Sequence, residues 1–217
     1  MNPSVSIVIP TFNRYDLVQE LLDGITEKVD QVIVVDDCSS EVAELQTDLP
    51  VFVASTPKRS GFTLASNYGL KLALAPFAQP SAVFLISNDV RFHGKFIQQS
   101  LDILLGAKQA LVGNRHINFD SGWNTFNGKT FDYLEGFFLA ATSDGWRDLG
   151  FFDENYAPHD FEDVDLSTTA KQKGYKLVSL NNPNIVHMGA QSIGYNPERE
   201  TITRRNREYF QRKWLSE

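Results

Sequence analysis

The residues of this sequence best suited to chemistry are carboxylates placed where apolar runs stop. Residues 82–86 are wholly apolar, and Ser87, Asn88 and Asp89 follow at once before an aromatic returns at Phe92. Such an ending is either a turn or a metal site at a sheet edge. Residues 31–35 stop in the same way, on Asp36, Asp37, Cys38, Ser39 and Ser40. Asp36 there suits an N–H of a pyrimidine ring or a ribose hydroxyl, or it caps a helix; taken alone, capping is the better account. Pro10 closes residues 5–9. Just beyond it Thr11 offers a hydroxyl, and Arg14 either meets a phosphate or decorates the first helix.

Later in the chain Glu162, Asp163 and Asp165 crowd the start of a helical segment. Acids belong in a first helical turn, where they meet the positive end of the dipole. Three within four positions repel one another, which raises the proton affinity of one toward that of a useful base. His187 ends another apolar run, with Gly189 and Ser192 after it. A lone histidine is more often a hydrogen-bonded structural residue. It gains meaning beside a second ligand, and Asp89 is the candidate. One carboxylate and one imidazole are too few for a closed structural site. They suit Mg2+ or Mn2+ held jointly with water and substrate phosphates, and the imidazole tilts the choice toward Mn2+.

These groups must be carried by a regular frame. Residues 5–9, 31–35, 51–54 and 82–86 read as short β-branched strands of a buried parallel sheet. Helical spacing runs through Leu17, Val18, Leu21, Leu22 and Ile25, then through residues 61–75, then 94–105. Strand and helix thus alternate over residues 1–105, the pattern of βαβ units, in which ligands bind beyond the carboxyl ends of strands. Residues 114–130 read as a long loop, with Trp123 as a candidate acceptor wall, lid or core plug. Residues 131–142 read as a strand broken at Glu135–Gly136. A helix over 161–173, short strands at 176–180 and 184–187, and a closing helix over 198–214 complete the chain. No linker is visible, so one domain is expected over 1–217, with a regular first half to residue 105 and a less regular second half.

Composition narrows the class. The 217 residues carry a net charge of −7, with 42% hydrophobic and 12% aromatic residues, enough for a real core. The acid excess disfavours general nucleic-acid binding. The one basic run, from Arg199 through Arg212 and Lys213, reads as a solvated helix face. A single cysteine, Cys38, excludes an internal disulfide and a thiolate metal cluster and suits a reducing compartment. No run approaches the ~20 apolar residues of a membrane span, and the N-terminus lacks a signal-peptide pattern. A cytoplasmic protein without stable membrane or nucleic-acid insertion is expected.

The ordered set "VSIVIPTFNR", "VIVVDDCSS", "GFTLASNYGLKLA", "ISNDV", "EGFFLAATSDGWRDLGFFDENY", "FEDVDL", "VHMGAQS" and "NREYFQRKW" resembles glycosyltransferase family 2, in that family's order and over nearly the whole chain. The nearest flavour is its rhamnosyltransferase-like branch of small soluble members. The resemblance implies a GT-A fold, an α/β architecture with a Rossmann-like, mostly parallel sheet flanked by helices. It implies that the first half, 1–105, is a nucleotide-binding half and the second, 106–217, an acceptor and catalytic half. It implies an inverting transfer from a nucleotide-sugar donor, UDP- or dTDP-sugar favoured, to an acceptor hydroxyl on a glycan, lipid-linked glycan or modified nucleobase. Its catalytic acidic pair falls on Glu162 and Asp163, with Asp163 as base. Its Asp-x-Asp motif falls on Ser87-Asn88-Asp89, so Asp89 and His187 hold Mn2+ or Mg2+ and Asn88 touches the ribose. Thr11, Arg14 and Asp36 surround the nucleotide, and Pro10, Asn13, Asp37, Asn67 and Gly136 complete the expected substrate-binding set. The chain departs from the family at Ser87, which replaces the first acid, and at Ser66, where some relatives carry Arg. "QRKW" has the letters of the processive-synthase motif with the wrong spacing, which favours single addition. A non-catalytic nucleotide-sugar binding protein is the alternative outside catalysis. A sugar-phosphate nucleotidyltransferase or a dinucleotide oxidoreductase would want a glycine-rich loop after the first strand, and there is no glycine between Pro10 and Asp23.

Overall fold

A computed structural model describes residues 3–76, 79–107, 109–189, 194 and 196–215. In chain order its elements are β1 (Val5–Thr11), α1 (Tyr15–Asp23), β2 (Gln31–Asp36), β3 (Val51–Ser55), α2 (Phe62–Ala73), β4 (Ala82–Ile86) and β5 (Val90–Phe92). Then come α3 (Ile97–Gly106), β6 (Ala110–Gly113), β7 (His116–Ile117), β8 (Thr125–Phe126), β9 (Lys129–Thr130), β10 (Tyr133–Leu134) and β11 (Phe138–Thr142). The chain closes with α4 (Ser143–Leu149), α5 (Glu162–Gln172), β12 (Lys176–Ser179), β13 (Ile185–His187) and α6 (Pro197–Leu215).

Seven strands form one sheet in the order β12-β6-β11-β4-β1-β2-β3. All neighbours are parallel except β11, which runs antiparallel between β4 and β6. The strands from the second half of the chain therefore extend the sheet begun by the first half. Because side chains alternate across a strand, Ile7, Ile9, Val32, Val34, Phe84 and Ile86 face one layer, with Leu21 and Leu22 of α1 and Leu101 and Leu104 of α3. Val8, Ile33, Val35, Val83 and Leu85 face the other, with Leu70 of α2, Trp146 of α4 and Leu166 of α5. A sheet covered on both faces explains why its strands read as unbroken apolar runs. Gly69 lets α2 settle close to the sheet, since a Cβ there would lie 2.4 Å from Val8 and 2.6 Å from Val35.

Several expectations need adjustment. The first-half strands and helices stand where the spacing places them, to within a few residues at their ends. Strands β5 and β6 and helix α4 have no counterpart in the sequence reading. The stretch 114–130 is not one open loop. It carries β7 and the β8–β9 hairpin, pinned by the fully buried Asn124, which accepts from the Ser121 N–H and hydroxyl and donates to the carbonyls of Phe119 and Phe131. Trp123 is 60% exposed, so it plugs no core.

The basic run also differs from a solvated face. Helix α6 buries only Asn206 and Phe210, yet it is fastened turn after turn. Arg199 and Thr203 bond Asp160, Arg207 donates to the Thr125 carbonyl, Lys213 reaches Asp153 and Asp165, and Trp214 donates to Asp165. Ser192 lies outside the described residues.

Candidate active site

One cleft of about 860 Å³ opens at the carboxyl ends of β1 and β4, and the residues before α5 close it from the other side. Its wall includes Pro10, Thr11, Asp37, Asn88, Asp89, Gly136, Glu162, Asp163 and His187, brought together from six separate stretches of sequence.

At Ser87-Asn88-Asp89 the chain makes the turn that its polar ending suggests. The Val90 N–H bonds the Ser87 carbonyl at 3.2 Å, a turn that swings the chain into β5. Strand β5 then pairs antiparallel with β13, which sets His187 opposite Val90. The His187 Nε2 lies 3.3 Å from Asp89 Oδ1, and the Met188 N–H donates to the Asp89 carbonyl. Phe137 stacks on the imidazole, ring centroids 4.4 Å apart and 14° from parallel, so the ring edge faces the carboxylate. Among the described residues no group of three or more His, Cys, Asp or Glu is arranged to hold a metal ion. The donor set is thus one carboxylate oxygen and one imidazole nitrogen. It fits a hard divalent ion that completes its shell with water and phosphate oxygens, and it does not fit a closed structural site.

Asn88 is buried and donates to the Thr11 hydroxyl at 2.9 Å, tying the ends of β4 and β1. Asp37 lines the cleft, but its carboxylate receives the Ser60 hydroxyl and the Ser60 and Gly61 N–H groups, which shapes the loop before α2. Asn13, Arg14, Asp36 and Asn67 are not among the residues that line the cleft. Asp36 is 2% exposed and accepts from the Ser39 N–H. Asn13 laces the first two strand ends together, accepting from the Ser40 N–H while its own N–H bonds Ser39. Arg14 grips Asp16 at 2.7 Å. Asn67 both donates to and accepts from the Phe152 backbone, far from the cleft in role.

The acidic segment divides by function. Asp165 points away from the cleft and takes the Tyr156 hydroxyl, the Trp214 indole and the Lys213 ammonium. Asp163 accepts from the Gly136 N–H at 2.9 Å and from its neighbour Val164 at 2.8 Å. A side chain at position 136 would press on Asp163, its Cβ 3.2 Å from that of the aspartate. Burial pushes the Asp163 carboxyl up to about 7; the two N–H bonds oppose the shift, while Glu135 and Asp160 add to it. Glu162 is also raised well above its usual range, first by burial and then by Asp163 and Asp160. Its Oε2 is buried with no hydrogen-bond partner among the described residues. Asp160 goes the other way: bonds from His159, Arg199 and Thr203 outweigh its burial and hold it well below the usual carboxylate range.

Three parts of the wall carried no sequence signal strong enough to select them. Arg59 lies over the Phe12 ring, 4.1 Å from its centroid, at the strand-end side of the cleft. Arg115 pairs with Glu135 on another wall. Arg199 and Ile202 of α6 form a third. Phe12 was not selected either, although an aromatic between two polar residues at a strand end offered a signal. From the stretch 114–130 the wall takes Arg115 and not Trp123.

The fold and this site can now be set beside known proteins. An uncharacterized glycosyltransferase of Haemophilus influenzae is 29% identical over 120 residues, 53% of this chain and 37% of its own. A mannosyltransferase from Pyrobaculum calidifontis, solved with GDP-Man and Mn2+, superposes with a TM-score of 0.60 at 20% identity, covering 82% of this chain and 55% of that one. TarS of S. aureus gives 0.63 at 16% identity over 99% of this chain and 40% of that one. This chain therefore spans about half or less of the length of these relatives, and their likeness is one of fold, GT-A. No helix among the described residues is long and apolar enough to cross a membrane. The family described as Glycosyl transferase family 2 matches residues 6–164, most of the chain and every strand end that lines the cleft except β13, and the chain belongs to that family.

Proposed function

We propose that this chain transfers a sugar from a nucleotide-diphosphate sugar to an acceptor hydroxyl by a single, inverting displacement. The observation that carries the reading is the presence, in one cleft, of the Glu162–Asp163 carboxylate pair and the Asp89–His187 pair. Similar proteins have been solved with GDP-Man and with UDP-GlcNAc, which supports a nucleotide-sugar donor here. UDP- or dTDP-sugars remain our first choice.

The donor enters at the β1 and β4 ends. Phe12 and Arg59 offer a flat, cationic-capped face suited to a base, and Thr11 and Asn88 hold that floor rigid. Asp89 and His187 would hold Mn2+ or Mg2+, whose chemistry is to offset negative charge on a departing diphosphate. On the far wall Asp163 accepts the proton of the acceptor hydroxyl. That oxygen forms the new bond to the anomeric carbon from the face opposite the nucleotide, while the carbon–diphosphate bond breaks and its electron pair leaves with the nucleotide. Each Asp163 oxygen already takes one N–H, and a second lone pair remains for the substrate proton. Glu162, held protonated by burial, donates toward the cleft and keeps a second negative charge away from the base.

The test is a panel of UDP-, dTDP- and GDP-sugars with Mn2+, scored by nucleotide released with and without glycan acceptors. Asp163→Asn should lower turnover about 10²–10⁴-fold while nucleotide binding persists. Release from no donor, or near wild-type turnover by Asp163→Asn, overturns the reading.

A further inference from the structure

Asp160 and Phe161 both adopt left-handed backbone, φ 70° and 77°, immediately before Glu162 and Asp163. Neither is glycine, and such a conformation costs about 1–3 kcal/mol per residue unless its surroundings impose it. Helix α6 imposes it. Asn206 is fully buried, and its amide nitrogen lies 2.7 Å from the Tyr156 carbonyl and 2.8 Å from those of His159 and Asp160. Arg199 grips the Asp160 carboxylate through two nitrogens, and the Thr203 hydroxyl donates to it at 2.6 Å. About one turn on, Phe210 lies against Phe161, ring centroids 5.8 Å apart. Residues 199, 203, 206, 210 and 213 recur at alternating intervals of four and three, which is one face of a helix. Apart from Phe210 the face is polar, and every member of it meets the segment 153–165.

We propose that α6 is a positioning element for the acid–base pair, acting through Asn206 and the Arg199–Thr203–Asp160 cluster to hold the turn that aims Glu162 and Asp163 into the cleft. This goes beyond the family assignment and rests on the proposed role of that pair. Asn206 and Thr203 touch no reacting atom. They act through the backbone of residues 156–161 and through Asp160. The groups that face the pair are Asp160, His159 and Arg199 from the turn and α6, and Glu135, Arg115 and Tyr133 from the opposite wall. A loosened turn admits water to the pair and weakens the burial that raises it.

Asn206→Ala and Thr203→Val, the second isosteric and chosen in case the first folds poorly, are compared with wild type in the full chain. Turnover should fall roughly 10- to 100-fold in Asn206→Ala, the loss expected for a small misplacement of a reacting group. The donor KM should change by less than about twofold, the signature of a transition-state effect. The acidic limb of the pH–rate profile should move to lower pH in both variants. Carboxyl 13C NMR titration without substrate reads the same displacement on the Glu162–Asp163 signals, assigned by Glu162→Gln and Asp163→Asn, and needs no turnover. A lower melting temperature with wild-type turnover, or an unmoved carboxyl titration in a folded variant, overturns the proposal. If wild type releases nucleotide from no donor, the transferase reading fails, and the titration still decides whether α6 positions the pair.

Discussion

Asp163 and Asp160 lie three residues apart, and their environments push them in opposite directions. Asp160 has an arginine and a hydroxyl to answer its charge; Asp163 has two backbone N–H groups and the nearby carboxylates of Glu135 and Asp160. The consequence for rate is a limb rising with pH through about 7, as the base loses its proton. The consequence for stability has the opposite sense. A carboxyl raised in the folded state binds more protons there than in the unfolded chain, so its contribution weakens as pH climbs from the ordinary carboxylate range toward the folded value. Asp163→Asn, which cannot ionise, should therefore raise the melting temperature, by more at pH 8 than at pH 5. Thermal melts at both pH values check this; an equal shift at the two would show the pair is not held at a raised value. Glu162→Gln should behave in the same direction. The acid–base pair was legible as a cluster of like charges. The role of Asp165 was not, because its partners Tyr156, Lys213 and Trp214 come from nine residues upstream and about fifty downstream.

At the scale of elements, a helix is placed by what its faces meet. Helix α2 carries Asn67, whose amide donates to the Phe152 carbonyl and accepts from the Phe152 N–H, both buried. Replacing it by alanine leaves two buried backbone groups unpaired, at about 1–3 kcal/mol each. Asn67→Ala should unfold at markedly lower denaturant while the donor KM of the folded enzyme stays unchanged; a raised KM at unchanged stability would return Asn67 to the substrate-binding set. Helix α3 shows the same logic at its N-terminus. Glu27, from the loop before β2, accepts from the N–H groups of Phe96, Ile97 and Gln98, which the helix itself cannot satisfy. Apolar periodicity made α1 and α2 readable. It under-described α6, whose binding stripe is Arg, Thr, Asn, Phe and Lys, so a search for apolar spacing returns a solvated helix. Strand β5 escaped notice for another reason: three residues are too few to show alternation, and only pairing with β13 makes them a strand.

The whole molecule brings groups from two separate parts of the chain to one cleft. Thr11, Asn88 and Asp89 stand on β1 and after β4, whereas Gly136, Glu162 and Asp163 arrive with β11 and α5. A ligand that reaches both walls binds only the folded arrangement, so it stabilises by mass action, about 2.7 kcal/mol at a hundredfold excess over Kd. UDP or GDP with Mn2+ should raise the melting temperature, and His187→Ala should remove the part of that rise that depends on the metal while leaving the metal-free part. A metal-dependent rise that survives in His187→Ala would show that the imidazole is not a ligand.

By itself the sequence determined the class of frame. Buried parallel strands must be apolar on both faces, and their ends must turn polar where the backbone returns to water, so β1, β2, β4 and the chemistry at their tips could be read from residue type and order alone. Those are local constraints, satisfied within a few residues of where they act. Only the tertiary structure decided which polar residues meet one another: Asp89 meets His187 across 98 positions, while Asn13 meets Ser39 and Ser40 and Asn67 meets the Phe152 backbone. That choice depends on where a side chain's hydrogen-bond partners come to rest, and for these residues the partners are brought in from distant parts of the chain or held by the fold of the loop itself.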